Sequence, residues 1–199
     1  MARDVSREME DSRHSSPATG HLLGQRIAVV GASGSGKTTL AEEIAQRLDY
    51  RHIELDSLHW QPNWGETPLD IFRERVEQAL TGDKWTIDGN YSKVRDLIWR
   101  RADTIIWLDY SLPVIFWRLG WRSIKRIVLR EKLWNGNRET WRALFSRDSL
   151  FLWVLQSQPR HRRDYPRLFQ QTEYAHLQII RLHSPRETDE WLKSINRTT

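Results

Sequence analysis

The stretch Ile27–Leu40, IAVVGASGSGKTTL, leaves the chain little choice of fold, because an apolar run of strand length breaks into a glycine-rich loop and then into a helix-forming sequence. Gly31, Gly36, Lys37 and Thr38 satisfy the spacing G-x-x-x-x-G-K-[ST]. That spacing has a physical origin. Backbone N–H groups must point inward around an anion, and glycines let the chain come that close, with Gly34 as a further permissive position. Lys37 would reach the outer phosphates as a point charge, Thr38 would place its hydroxyl on Mg²⁺, and the positive end of the following helix would add field. Leu40, Ile44 and Leu48 recur at helical spacing after the loop, as a phosphate cradle requires. The plain alternative is a glycine turn joining a strand to a helix.

A chain of 199 residues suits one α/β domain with a sizeable core. It has no cysteine, which excludes thiolate metal sites, disulfides and cysteine nucleophiles. The N-terminus, MARDVSREMEDSRHSS, is charged throughout and has no apolar core, so a cytoplasmic location is expected. Residues 1–21 are polar, with almost nothing to bury, and are expected to form a disordered tail; the domain spans 22–199.

Strand and helix patterns alternate along that domain. RHIEL (51–55) reads as a second strand, and Thr67 with Pro68 and Asp70 as the start of a helix over 69–80 that buries Leu69, Phe72, Val76 and Leu80. Trp85–Ile87 is a third strand, 92–99 a helix, Thr104–Leu108 a fourth strand, 177–182 a fifth and 186–195 the last helix. Such alternation predicts a three-layer α/β fold: a parallel five-stranded sheet covered by helices on both faces.

Ligands of such sheets bind beyond the carboxyl ends of the strands, where Asp56, Asp88 and Asp109 all fall. Each has a plain alternative as a cap or turn residue. On the functional reading Asp88 holds Mg²⁺ through water, while Asp56, followed by His59 and Trp60, accepts the proton of an attacking hydroxyl or binds the acceptor. Asp88 and Asp109 are followed by Gly89 and Tyr110, not by the glutamate that usually activates water in nucleotide-driven motors, and neither N-K-x-D nor D-x-x-G occurs. A phosphotransferase that moves the γ-phosphoryl of Mg·ATP to a small acceptor (a nucleotide, a nucleoside or another hydroxy compound) fits better than a hydrolase. Such an enzyme must exclude water.

The net charge of +5 is unevenly spread. Residues 111–147 alone hold nine Lys and Arg against two acids. Arg118, Arg122, Arg126 and Arg130 recur every four residues opposite Ile115, Phe116, Leu119, Ile127 and Val128, forming a cationic ridge on a helix. A lid insert over about 111–165 would close these arginines on the phosphates, with Glu131–Arg147 as its tip, Asn135-Gly136-Asn137 as its turn, and Arg118, Arg122, Arg138 and Arg147 as catalytic candidates. Two other readings stay open: a nucleic-acid-dependent ATPase that uses the same basic segment, and a nucleotide-sensing module without catalysis. Of eleven tryptophans, Trp99, Trp107, Trp117, Trp121, Trp153 and Trp191 are expected to pack in the core or at lid hinges, and Trp60 and Trp64 to wall an acceptor site.

The strings LDSLHWQPNW (55–64), WTIDGNYS (85–92), RADTIIWLD (101–109), LWNGNRE (133–139) and RLHSPRETDEWL (181–192), in this order after GASGSGKTT, resemble the DNA topology modulation (FlaR-like) proteins, small P-loop kinases related to adenylate and shikimate kinases. The resemblance covers about Leu22 to Leu192. It implies a nucleoside/nucleotide-kinase-like fold, ATP and Mg²⁺. By position it makes Gly31, Ala32, Ser33, Gly34, Ser35, Gly36, Lys37, Thr38 and Thr39 the ATP loop, Asp56 and Asp88 the acceptor and magnesium side, and Arg118 and Arg122 the start of the lid. His183–Arg186, with Pro185, then matches the backbone clasp on adenine. Adenylate kinases carry D-G-F-P-R after the third strand, with the arginine on the acceptor phosphate. Here Asp88-Gly89-Asn90-Tyr91 has no such partner, Asn90 falls on the acceptor side, and Arg95 is the next candidate anion anchor.

Overall fold

The computed structural model describes residues 23–129, 133–137 and 150–195. The expected N-terminal tail, Arg130, Arg138, Arg147 and most of the lid tip therefore lie outside the described residues.

Five strands, β1 (Arg26–Gly31), β2 (Arg51–Glu54), β3 (Trp85–Asp88), β4 (Thr104–Leu108) and β5 (Gln178–Leu182), form one sheet in the order β2-β3-β1-β4-β5. Every pairing is parallel. β1 is central, which explains its near-continuous apolar run: a strand covered on both faces has no solvent side to leave polar. Ala28 and Val30 join the cluster that contains Ile53, Phe72, Val76, Ile87 and Trp99, while Ile27 and Val29 join the one with Ile44, Ile106, Ile115, Leu119 and Leu192. The alternation is the two-residue period of a strand.

The helices are α1 (Lys37–Leu48), α2 (Leu55–His59), α3 (Leu69–Ala79), α4 (Arg95–Arg101), α5 (Leu112–Val128), α6 (Leu150–Phe169) and α7 (Pro185–Ser194). α1 buries Leu40, Ala41, Ile44 and Ala45, the face its spacing predicts. In α3 Phe72 and Val76 are buried as expected, but Leu69 is 46% exposed because the helix begins only there, with Pro68 as its N-cap. Thr67 gives no cap; its hydroxyl donates to the Leu58 carbonyl at 3.2 Å. The expected helix over 92–99 is a 3₁₀ turn, Ser92–Val94, followed by α4.

The basic helix α5 buries Ile115, Leu119 and Ser123, one stripe at i, i+4, i+8. Arg118, Arg122 and Arg126 follow that stripe at i+3, so the ridge runs along the edge of the buried face and not opposite it. This placement corrects part of the tryptophan expectation. Trp99 and Trp107 are core, but Trp117, Trp121 and Trp153 are 77%, 66% and 59% exposed. Val128, expected on the apolar side, is 66% exposed. No helix among the described residues is long and apolar enough to cross a membrane.

Candidate active site

The loop between β1 and α1 is built for close approach. Gly36, at φ 95°, caps α1, and a Cβ there would stand 2.7 Å from Arg118 Nη2. A Cβ on Gly34 would meet the Leu119 Cβ at 2.9 Å. α5 therefore lies directly on the loop, and its Arg118 guanidinium hangs over the start of α1. The N–H groups of Lys37, Thr38 and Thr39 open the helix without intrahelical acceptors, and the Ser35 hydroxyl is buried without a partner among the described residues. The Lys37 ammonium donates to the Ala32 carbonyl at 3.2 Å. Burial holds its pKa below the ordinary lysine value; Asp56 and Asp88 push upward, Arg122 downward. Asp56, Asp88 and Arg122, distant in sequence, thus lie near enough for their charges to act on Lys37.

Asp88, at the end of β3, is 3% exposed. The Thr38 hydroxyl donates to its Oδ2 at 2.6 Å, and His52 Nε2 lies 2.9 Å from Oδ1. Burial alone would lower the His52 pKa; the hydrogen bond and charge of Asp88 outweigh it, and the net direction is up. The adjacent oxygens of Thr38 and Asp88 suit a hard divalent cation that takes its remaining ligands from phosphates and water. The residues fit Mg²⁺.

Asp56 sits in α2, just past β2, and accepts a hydrogen bond from the Tyr91 hydroxyl at 2.5 Å. Burial first, then the Asp56 charge, drives the Tyr91 pKa far upward, so the phenol stays a donor. Glu54 is raised too, mainly by burial and also by Asp88 and Asp56. His59 is a packing residue. It is buried among Trp60, Phe72 and Tyr91, with ring centroids 4.9, 4.9 and 4.5 Å away, and burial lowers its pKa. Trp60 meets Trp64 edge-on at 5.5 Å.

Asn90 turns toward the phosphate loop. Its Oδ1 accepts from the Gly31 N–H at 3.1 Å and its Nδ2 donates to the Gly31 carbonyl, pinning the first glycine of the loop. The Tyr165 hydroxyl from α6 donates to the same Oδ1 at 3.2 Å. Arg95 lies over the rings of Trp99 and Tyr165 at 5.1 and 5.9 Å. A cavity beside the loop is lined by Asp88, Asn90, Tyr91, Arg95 and Tyr165, among others.

Asp109 is occupied otherwise. It is 4% exposed, its Oδ1 takes Arg162 Nε at 2.6 Å, and its Oδ2 takes Arg181 at 2.6 Å. It ties α6 to β4 and β5, a role neither the ligand-side reading nor the cap-or-turn alternative named. Removing the carboxylate leaves two guanidinium groups unpaired, each only partly buried. We expect Asp109→Ala to cost about 2–3 kcal/mol in urea unfolding, below the ~3–5 of a fully buried pair. Beyond β5, Ser184 Oγ accepts from Glu187 N at 3.1 Å and Glu187 accepts from His183 N at 2.6 Å, so the candidate adenine clasp around Pro185 is the capped start of α7.

The Asn135-Gly136-Asn137 turn, expected at a lid tip, is docked. Asn137, 5% exposed, accepts from the Trp64 N–H at 2.9 Å and donates to the Gln61 carbonyl at 2.9 Å, while Asn135 donates to the Trp60 carbonyl at 2.5 Å. Arg126 of α5 lies 6.0 Å over the Trp134 ring.

The sequence reading therefore brings Gly31–Thr38, Asp56, Asp88, Asn90, Arg118 and Arg122 to one cleft. Its site residues do not include His52, Tyr91, His161 or Tyr165. Tyr91 was legible as the residue after Asp88-Gly89-Asn90, and His161 as part of the basic run Arg160-His161-Arg162-Arg163; Tyr165 carried no local signal.

The loop, the strand order and the helix above them define a P-loop nucleotide-binding fold. Residues 27–109 match the family described as AAA domain. Parts of the chain are distantly similar to proteins named as shikimate and adenylate kinases. The chain is 27% identical over 128 residues to the chloroplastic shikimate kinase of Solanum lycopersicum, covering 56% of this chain and 43% of that protein. It is 26% identical over 104 residues to the uncharacterized protein YqaC of Bacillus subtilis, covering 51% of this chain and 58% of that one. The chain spans about half the length of these curated relatives. Among solved structures, a shikimate kinase from Bacteroides thetaiotaomicron superposes with a TM-score of 0.52 at 15% identity, over 84% of this chain and 94% of that one; this likeness speaks to the fold alone.

Proposed function

We propose that this protein is an ATP-dependent small-molecule kinase, and the observation that carries the reading is the Thr38 hydroxyl on Asp88 at the end of the glycine loop, with Arg118 of α5 set against Gly36. The loop N–H groups, Lys37 and Arg118 hold the phosphates of ATP. Thr38 and Asp88 hold Mg²⁺, which neutralises phosphate charge when bound. The acceptor hydroxyl attacks the γ-phosphorus, the bond to the β–γ bridging oxygen breaks, and ADP leaves; Asp56 takes the hydroxyl proton. Tyr91 positions Asp56 through its 2.5 Å hydrogen bond. Arg118 and Arg122 stabilise the charge spread over the transferring group. The resemblance to the DNA topology modulation proteins and the distant homology to shikimate kinases support the same reaction class.

That the basic helix lies on the loop favours the kinase over a nucleic-acid-dependent ATPase, whose cations would face outward to a duplex. ADP release measured across nucleosides, nucleotides and hydroxy acids, with and without duplex DNA, tests the choice. The expected result is slow basal hydrolysis indifferent to DNA and acceleration by one acceptor class. Stimulation by DNA, steeply weakened by salt, would overturn it; ATP binding with no turnover on any acceptor would leave a sensing module.

A further inference from the structure

The outer side of α5 and α6 has no part in the kinase reading. Eleven large apolar side chains are exposed among the described residues, and eight of them lie on α5, on Leu129 that ends it, and on α6. Exposure scattered singly would need no account, but clustering on two neighbouring helices does. On α5, Trp117, Trp121, Ile124 and Val128 recur at i, i+4, i+7 and i+11, opposite the stripe Ile115, Leu119 and Ser123 that the helix buries. On α6, Leu152 and Leu155 are exposed beside Val154, which is buried in the same cluster as Ile115 and Leu119. The two helices touch. The Phe116 and Phe151 rings stand 5.8 Å apart, and a Cβ on Gly120 would meet Phe151 at 3.8 Å. Both helices bury inward onto one cluster, so their outward side chains form one apolar surface.

The charge around that surface has one sign. Ser111–Leu129 and Leu150–Arg163 contain seven Lys and Arg and no acid. Arg162 is turned to Asp109 and Arg163 to Asp164, whereas Lys125, four residues after Trp121, and Arg160, seven after Trp153, are exposed beside the tryptophans. We propose that this face docks on an anionic lipid bilayer, the tryptophans entering the headgroup boundary and Lys125 and Arg160 meeting the lipid phosphates. A bilayer surface suits both halves of the face: aliphatic side chains sink to the acyl boundary, indole prefers the interface, and cations at the margin stay with the headgroups. A second copy of this chain would instead press two cationic surfaces together with no acid to offset them. Nucleic acid would answer the cations and stack on indole, but it offers Ile124, Val128, Leu152 and Leu155 no apolar medium to enter. With four cations in its 17 residues, α5 lies in such an interface and does not cross it. The proposal does not depend on the kinase reading, because the docking face is opposite the side of α5 that meets the phosphate loop.

Flotation of the whole chain with vesicles of phosphatidylcholine, alone or with about one third phosphatidylserine, tests the surface. We expect the anionic vesicles to carry about tenfold more protein or better, an excess that shrinks as salt rises from about 0.1 M to about 0.5 M and screens the cations. Trp117→Ser combined with Trp121→Ser should lower binding to anionic vesicles about tenfold, and Lys125→Glu should lower it severalfold. The chain has no cysteine, so one environment-sensitive dye on Val128→Cys reports entry into lipid without removing a tryptophan. Its emission should shift to the blue on anionic vesicles, while the same dye on Asp83→Cys, exposed before β3, should not respond. No flotation with anionic lipid, flotation that survives the paired tryptophan substitution, or an unshifted dye on Val128→Cys overturns the proposal. So does a lipid-free dimer that the paired substitution dissolves, or DNA binding lost in the same variant, when vesicles are left alone; the face then belongs to a second copy or to nucleic acid. Should the paired variant fail to fold, the dye on Val128→Cys decides in its place.

Discussion

Lys37→Ala is expected to weaken Mg·ATP binding by about 2–3 kcal/mol, roughly 30- to 150-fold, and to lower phosphoryl transfer by a further ~10²-fold or more. The binding loss is that of a charge-assisted contact in a site already withdrawn from water. The extra loss in rate reflects charge that grows on the phosphoryl oxygens only as the bond breaks. Calorimetry gives the first number and single-turnover kinetics the second. The proton on Lys37 adds a signature. Because burial lowers its pKa, the wild-type affinity should fall as pH rises through that lowered value, and the alkaline limb should vanish in Lys37→Ala. Between the lowered value and 10.5 the unfolded chain binds more protons than the folded one, so this group makes stability rise with pH across that window. Unchanged nucleotide affinity in the variant would remove the phosphate cradle from the account.

Asp56→Asn should cut transfer by about 10²- to 10⁴-fold while leaving ATP affinity within about twofold, the range by which a positioned base accelerates proton transfer. The amide keeps the shape and still accepts from Tyr91 but cannot take the acceptor's proton. Tyr91→Phe removes only the hydrogen bond that aims the carboxylate and should lower kcat by about tenfold with little change in KM. If Asp56→Asn weakened ATP as much as it slowed transfer, Asp56 would belong to the nucleotide side.

Much of the fold was legible because its signals are local. The run Ile27–Val30 could only be a central strand, and the glycines at 31, 34 and 36 fix the turn after it; the motif then names its own ligand. Strand ends are local too, which is why Asp56 and Asp88 fall where they were expected. The face that α5 presents was not legible to the same depth. Outside its arginine ridge the sequence offers apolar residues on several sides, and the close approach of Ile115 and Leu119 to Gly34, where a Cβ would clash, goes with Trp117 and Trp121 turned outward. His161 and Tyr165 sit on a helix with prolines at 159 and 166, whose return to the cleft depends on Asp109 drawing in Arg162 and Arg181 from different elements. No periodicity encodes a contact made at that sequence separation.

The amides of Asn135 and Asn137 have a thermodynamic consequence. By fastening the turn around Trp134 to the backbone of Trp60–Trp64, they join the segment that follows the arginine helix to the loop beside Asp56. Whatever draws one inward draws the other, so the conformational entropy of ordering both segments is lost once rather than twice. On the kinase reading proposed above, the first ligand would meet that loss and the second would not, so nucleotide and acceptor are expected to tighten each other by one shared factor, the same in both directions.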